Sequence, residues 1–304
     1  MTEYIAVKNS QISLYKNIPF YYLSKNGEGV LFKKAGVFLD KSQISEAKDM
    51  GLFIHNKDKD DAAKELLANL NIDLARTIAS QGVKKVRLVL CDIVQEALTG
   101  SLENSSQPLP ETIEIMFQGY DRKPELFESL IKISTNSHII IEHSVNVLSL
   151  SMLYCCFNDL PVNATKKIGV AALLHDIGTT DIDKSILDAK RKLSEKEFEI
   201  LKTHPFKGHD FLKGSTRFDE VVATVALEHH EKLDGSGYPR GITDISFEGQ
   251  LIGLIDSYEP LTYRDKEFRK AQNPYDALKL LKEEVVAKKY NKDVFKSLCA
   301  CLTK

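Results

Sequence analysis

Apolar positions recur along this chain with two different periods. In the first 58 residues they form short clusters between turns. Residues 18–23 are aromatic and β-prone, Asn26-Gly27-Glu28-Gly29 is a turn, and residues 30–32 resume a strand. Residues 41–50 predict one short helix closed by Gly51, followed by a last apolar run at 52–54. From Asp60 the period becomes helical: Ala63, Leu66, Leu67, Leu70, Ile72, Leu74 and Ala75 recur, and residues 83–98 continue the pattern. The polar stretch ENSSQPLP at 103–110 reads as a linker, and everything after it is helical with short loops. Ser194 precedes Glu197 by three residues, a capping box. Asn273-Pro274 supplies a cap and first position for the last long helix. The expected fold is mainly α: a small mixed α/β unit at 1–58, a helical connector at 59–108 and an all-helical domain at 109–304.

Composition adds few constraints. The chain has 304 residues, 43% hydrophobic and 28% charged, with a net charge of −2. That balance suits a globular protein and gives no global electrostatic case for a nucleic acid polymer or an anionic membrane. The most apolar segment, 144–157, contains Asn146 and three serines and reads as too short for a membrane span. The first ten residues, MTEYIAVKNS, carry no pattern of a secretory leader. The five cysteines read as reduced thiols, and Cys299 and Cys301 lack further cysteines at zinc-ligand spacing. A cytoplasmic location is therefore expected. The N-terminal unit has no clustered chemistry and reads as a packing or regulatory module, the part through which a protein partner would act.

The chemistry lies in the histidines. Of eight, five fall where helices are expected to end or bend: His143, His175, His204, His229 and His230. His175 is followed by Asp176, His204 directly precedes Pro205, and His229-His230 run into a glycine-rich loop, HHEKLDGSGYPRG. Asp256 sits in a strongly apolar segment, LIGLIDSYEPL, where a carboxylate needs a partner. A lone His-Asp pair means little, and His209-Asp210 reads as an exposed helix pair. As a set, five imidazoles and two carboxylates suit two divalent ions, with Asp176 the natural bridge. A nitrogen-and-oxygen donor set without thiolate favours iron first and manganese next over structural zinc. Two such ions about 3.5–4 Å apart would hold a bridging hydroxide and clamp an in-line phosphoryl displacement. Phosphoester hydrolysis is the reaction class this points to, without specifying the nucleotide. Glu231 and Asp234 would orient the histidines or cap the loop amides. Tyr238, with an ordinary phenol pKa near 10, suits packing against the loop or a guanine base better than proton transfer.

With these motifs the chain resembles the HD-GYP branch of the HD-domain phosphohydrolases over roughly residues 142–271. EHSVNV carries the first histidine, HDIG the His-Asp pair, LKTHPFKG the next histidine and HHEKLDGSGYPRG the namesake loop, while LIDSYEPLT matches the last metal-binding aspartate. The resemblance implies an HD-type helical domain and a binuclear centre of iron or manganese on His143, His175, Asp176, His204, His229, His230 and Asp256. It also implies cyclic di-GMP as substrate, opened to linear pGpG, with pGpG or GMP as the end product. Three positions depart from the family pattern. Thr179 stands where a lysine usually meets the scissile phosphate, which weakens charge stabilisation there. Ile139 replaces the glutamate that holds a third metal in some members, so two metals are expected. The segment after Asp256 reads Glu259-Pro260-Leu261-Thr262, then Lys266-Glu267-Phe268-Arg269, with one residue inserted and Phe268 for the usual tyrosine. Arg264, Lys266 and Arg269 are the candidate phosphate contacts. The alternatives are a degenerate member that binds cyclic di-GMP as a sensor or docks a protein, and a hydrolase for another nucleotide.

Overall fold

The structure is a computed structural model and describes residues 3–99, 108–133, 139–189, 191–214, 218–262 and 271–303. The N-terminal unit is a four-stranded antiparallel sheet of β1 (Tyr4–Ala6), β2 (Phe20–Leu23), β3 (Gly29–Lys33) and β4 (Phe53–His55), in the order β1-β4-β2-β3. Tyr4 pairs with His55, and Tyr21 with Phe53. Between β3 and β4, helix α1 (Lys41–Met50) starts on an Asp40–Gln43 capping box and stops at Gly51, whose φ of 69° suits glycine. β1 is three residues long, too short to show alternation in the sequence.

The connector is a pair of packed helices, α2 (Lys59–Ser80) and α3 (Val83–Thr99). Then follow α4 (Leu109–Arg122), α5 (Leu126–Ile131), α6 (Ile139–Phe157) and α7 (Val162–Leu174). A 3-10 turn (Ile177–Asp181) leads to α8 (Lys184–Leu187), α9 (Glu195–Leu201), α10 (His204–Lys213) and α11 (Glu220–Glu228). The series ends with α12 (Phe247–Thr262), α13 (Pro274–Val286) and α14 (Lys292–Leu302). The capping box at Ser194 and the Asn273-Pro274 start both form.

Helix α6 is the hub. It packs against α3, α5, α7, α12 and α14, and Val145, Val147, Leu148, Leu150 and Met152 are buried around its circumference. A helix apolar on all sides needs neighbours on all sides. Its length corrects the expectation that this segment is too short for a membrane span. By length and composition alone, residues 140–157 pass, with a mean hydropathy of 1.4; 72% of the window is buried inside the protein. The helix begins earlier than residue 144 because Ile140 and Ile141 join it ahead of the polar pair Glu142-His143. One hydrophobic cluster runs without a break from Ile12 in the N-terminal unit to Cys301 in α14.

Candidate metal centre

Each of the seven residues sits where a helix begins, ends or presses on its neighbour. His143 lies in the second turn of α6, and His175 caps the C-terminus of α7. Asp176 enters the 3-10 turn, and His204 opens α10 with Pro205 behind it. His229 caps α11, His230 follows it, and Asp256 projects from the middle of α12. Two glycines permit the approach. A Cβ on Gly178 would lie 2.0 Å from the His204 carbonyl oxygen, and one on Gly253 would lie 2.2 Å from that of His229. The HDIG turn therefore seats against α10, and α12 passes directly over the end of α11.

The side chains converge as two sets. His143, His175 and Asp256 form one; Asp176, His204, His229 and His230 form the other, with ligand atoms in each set within 4.8 Å of one another. Asp176 faces both. Its Oδ2 is 3.5 Å from His175 Nε2 and 3.8 Å from His143 Nε2, while Oδ1 is 3.2 Å from His204 Nε2 and 3.6 Å from His229 Nε2. Asp256 Oδ1 is 3.0 Å from His143 Nε2, and its Oδ2 is 3.6 Å from His230 Nδ1.

Tautomers give the sharpest test of fit. The Nδ1 atoms of His175, His204 and His229 lie 2.8, 2.7 and 3.1 Å from the carbonyl oxygens of Ala172, Leu201 and Val225. A carbonyl only accepts, so each Nδ1 carries a proton, and in its neutral form each ring turns an Nε2 lone pair inward. His204 Nε2 and His229 Nε2 then face each other at 3.3 Å, as do His143 Nε2 and His175 Nε2. Facing lone pairs repel unless a proton or a cation lies between them. The donor set, all nitrogen and oxygen, fits divalent metal.

Electrostatics divide the imidazoles: against the effect of burial, Asp256 and Glu259 raise His143 well above the ordinary imidazole value, and Asp176 raises His175. Burial opposes the charge on Asp176, but His175, His204 and His229 outweigh it and hold its carboxyl well below the usual carboxylate range. Burial likewise opposes charge on Asp256, and His143 and His230 bring its carboxyl down. Burial pushes His229 and His230 below the ordinary imidazole value, which keeps their rings neutral.

Several expected site residues are used differently. Thr179 is buried, and its hydroxyl donates to the Asp176 carbonyl oxygen at 2.7 Å, closing the 3-10 turn. Glu231 and Asp234 do not orient the histidines. Glu231 accepts from the amides of Arg240, Gly241 and Ile242 at 2.7, 2.9 and 3.2 Å, and Asp234 accepts from the Ser236 amide and hydroxyl. A loop rich in glycine leaves many amides to satisfy, and these carboxylates satisfy them. Tyr238 stacks on His230, centroids 4.6 Å apart, with the half-exposed Phe198 edge-on at 6.3 Å. Burial pushes its phenol well up, so it keeps its proton. His209 and Asp210 pair with each other, away from the centre. Arg264, Lys266, Phe268 and Arg269 lie outside the described residues.

The sequence reading missed three participants. Glu259 accepts from His143 Nδ1 at 2.8 Å and from Asn146 Nδ2 at 2.5 Å, giving the carboxylate–histidine pair that metal sites use. The signal was present: Asn146 and Glu259 are polar residues on apolar helices, and both are buried. The third is Lys232, whose ammonium donates to the Tyr290 hydroxyl and lies 3.9 Å from that ring's centroid. Burial lowers its pKa to about 8.

Comparison with known proteins places the chain in a family. Residues 126–294 match the HD domain family, more than half of the chain. Over 164 residues the chain is 32% identical to the cyclic di-GMP phosphodiesterase PA4108 of Pseudomonas aeruginosa, covering 53% of this chain and 39% of that one. Over 170 residues it is 35% identical to the cyclic di-GMP phosphodiesterase PdeB of Borreliella burgdorferi, covering 54% and 43%. The chain thus spans less than half the length of these curated relatives. The solved structure of Bd1817, an HDG"Y"P protein from Bdellovibrio bacteriovorus, superposes with a TM-score of 0.67 over 99% of this chain and 100% of that one. At 16% identity this is a likeness of fold, and it includes the N-terminal unit. Built around the His175-Asp176 pair and matched across its helical body, the chain belongs to the HD domain family, in line with the HD-GYP resemblance of its loop.

Proposed function

We propose that this chain is a metal-dependent phosphodiesterase acting on cyclic di-GMP, which it opens to linear pGpG, with pGpG or GMP as the end product. The observation that carries the reading is Asp176, whose two carboxylate oxygens face two separate sets of imidazoles. On this reading His143, His175, Asp176 and Asp256 hold one ion, and Asp176, His204, His229 and His230 hold the other. Iron is the first candidate and manganese the second, because the donors are nitrogen and oxygen only. Bound there, two ions supply Lewis-acid stabilisation of phosphoryl charge and activate water at neutral pH.

The chain's own groups do the rest. The carbonyls of Ala172, Leu201 and Val225 and the carboxylate of Glu259 fix the rings of His175, His204, His229 and His143, so these four ligands are held in place ahead of turnover. Tyr238 and Phe198 form an aromatic lip beside His230 that suits a guanine face. Arg264, Lys266 and Arg269 are assigned to the phosphates.

A second reading is favoured by Thr179. With its hydroxyl turned to the Asp176 carbonyl, this position offers the scissile phosphate no cation. A degenerate member would bind metal and cyclic di-GMP yet turn over slowly, acting as a sensor or docking partner. One experiment separates them: purify the chain anaerobically, measure metal per chain, and follow cyclic di-GMP by chromatography. Product formation proportional to metal content supports the enzyme. Tight binding without product in a fully metallated sample defeats it, and product only from another cyclic dinucleotide reassigns the substrate.

A further inference from the structure

We propose that Arg87, on connector helix α3 and outside the segment that matches the HD domain family, is a positioning residue for the metal centre. It acts through Asn146 and Glu259 on His143. The inference rests on the metal-holding role assigned above to His143.

Arg87 is fully buried, an unusual place for a guanidinium. Its Nη1 donates to Asn146 Oδ1 at 2.8 Å and to the Leu130 carbonyl oxygen at 2.8 Å. Its Nη2 lies 3.6 Å from the carboxylate of Glu142, the neighbour of His143. Asn146 Nδ2 donates to Glu259 Oε1, and Glu259 Oε2 accepts from His143 Nδ1. Every member of this chain is buried or nearly so, on three helices, α3, α6 and α12.

Donor and acceptor identities make the chain directional. A guanidinium has donors only, so the Asn146 amide must present its oxygen to Arg87 and its NH2 to Glu259. A carboxylate has acceptors only, so Glu259 requires the proton of His143 on Nδ1. In its neutral form the His143 ring then turns its Nε2 lone pair toward Asp256 and His175. Without Arg87, the Asn146 amide can flip and offer its oxygen to Glu259, which repels it and frees the His143 ring to rotate. His175, His204 and His229 each use a backbone carbonyl three or four residues earlier in the chain, whereas His143 is held on Nδ1 by a side-chain relay that begins outside the matched domain. The connector is therefore part of the site. Helix α3 also takes Lys8 and Gln11 of the N-terminal unit on Glu96, at 2.7 and 2.9 Å.

The test uses the full chain, purified anaerobically, stripped and reloaded with Mn(II), and titrated with a chelator while metal per chain is measured. Wild type is expected to hold two ions and to show their magnetic coupling by EPR. Arg87→Met removes the guanidinium. Asn146→Leu breaks the relay and leaves Arg87 with Glu142 and the Leu130 carbonyl, so it decides the matter if Arg87→Met does not fold. Each folded variant should lose one ion roughly 10- to 100-fold more readily, the range for losing an outer-shell partner. It should keep the other ion at wild-type affinity, and the coupled EPR signal should become that of a single ion. A merely structural role would lower the thermal midpoint and leave the two affinities equal to wild type or reduced together; either result overturns the proposal. A wild-type chain that takes up no metal overturns the metal reading itself, and the inference with it.

Discussion

Gly253 is the position where packing and site geometry can be tested in one substitution. It lies on α12 three residues before Asp256, where the helix crosses the end of α11. A Cβ there would lie 2.2 Å from the His229 carbonyl oxygen, well inside the 3.0 Å that real Cβ atoms keep. Gly253→Ala therefore sets two effects against each other. Alanine is the better helix former by about 1 kcal/mol. Overpacking a tight contact costs about 1–3 kcal/mol, and the upper end applies because the obstacle is backbone and cannot rotate away. The net loss is about 2 kcal/mol, which lowers the thermal midpoint of a chain this size by about 3 °C. The helix must also retreat by most of an ångström, taking Asp256 from His143 and His230. A displacement of that size in a reacting site costs on the order of 100-fold in rate. Thermal unfolding, metal per chain and cyclic di-GMP turnover should be measured on the same preparation. A midpoint at or above wild type together with unchanged metal content would refute the close-approach argument.

Three further outcomes are expected. Asp176→Asn removes the charge shared by both imidazole sets and should abolish uptake of both ions; elemental analysis finding two ions per chain would end the bridging role. Thr179→Lys supplies a cation beside the HDIG turn and should raise turnover about 10-fold or more, since one stabilising group is typically worth at least that; an unchanged rate in the metallated variant removes the charge argument. Lys232, its pKa lowered to about 8 by burial, is charged at pH 7 in both folded and unfolded chains but resists charge when folded. That penalty is complete below pH 8 and disappears as pH rises through the unfolded value of 10.5. Lys232→Met should thus be more stable than wild type at pH 7 by about 2 kcal/mol, discounted for the Tyr290 contact. Denaturant titrations should show this difference shrinking between pH 8 and 10.5, and a constant difference would exclude the ammonium as its source.

Most of the helical order was legible because local signals and tertiary packing agree in it. The Ser194 and Asn273 caps, the Gly51 stop and the break at Pro205 act within a few residues and appear as expected. Strand β1 was not legible, because three residues carry no period. The extent of α6 was misjudged because Asn146 and the serines look like interruptions in a one-dimensional hydropathy reading. In three dimensions Asn146 is a partner in a buried network.

The same division holds at the centre. Sequence alone determined which residue types were available: five imidazoles at helix ends, a His-Asp pair, and a carboxylate in an apolar helix that demanded a partner. These are statements about composition and local spacing, and burial of a charge is costly wherever it occurs. Only the tertiary structure decided where the remaining polar groups went. In sequence Glu231 and Asp234 fit either orienting the histidines or capping the loop; packing commits them to loop amides, because a turn of glycines exposes donors that must be satisfied. Glu259 reaches His143, and Arg87 reaches Asn146, from helices far apart in the chain, and hydrogen-bond partners across such separations depend on how helices cross. Ligand identity was written locally; ligand orientation was settled by packing.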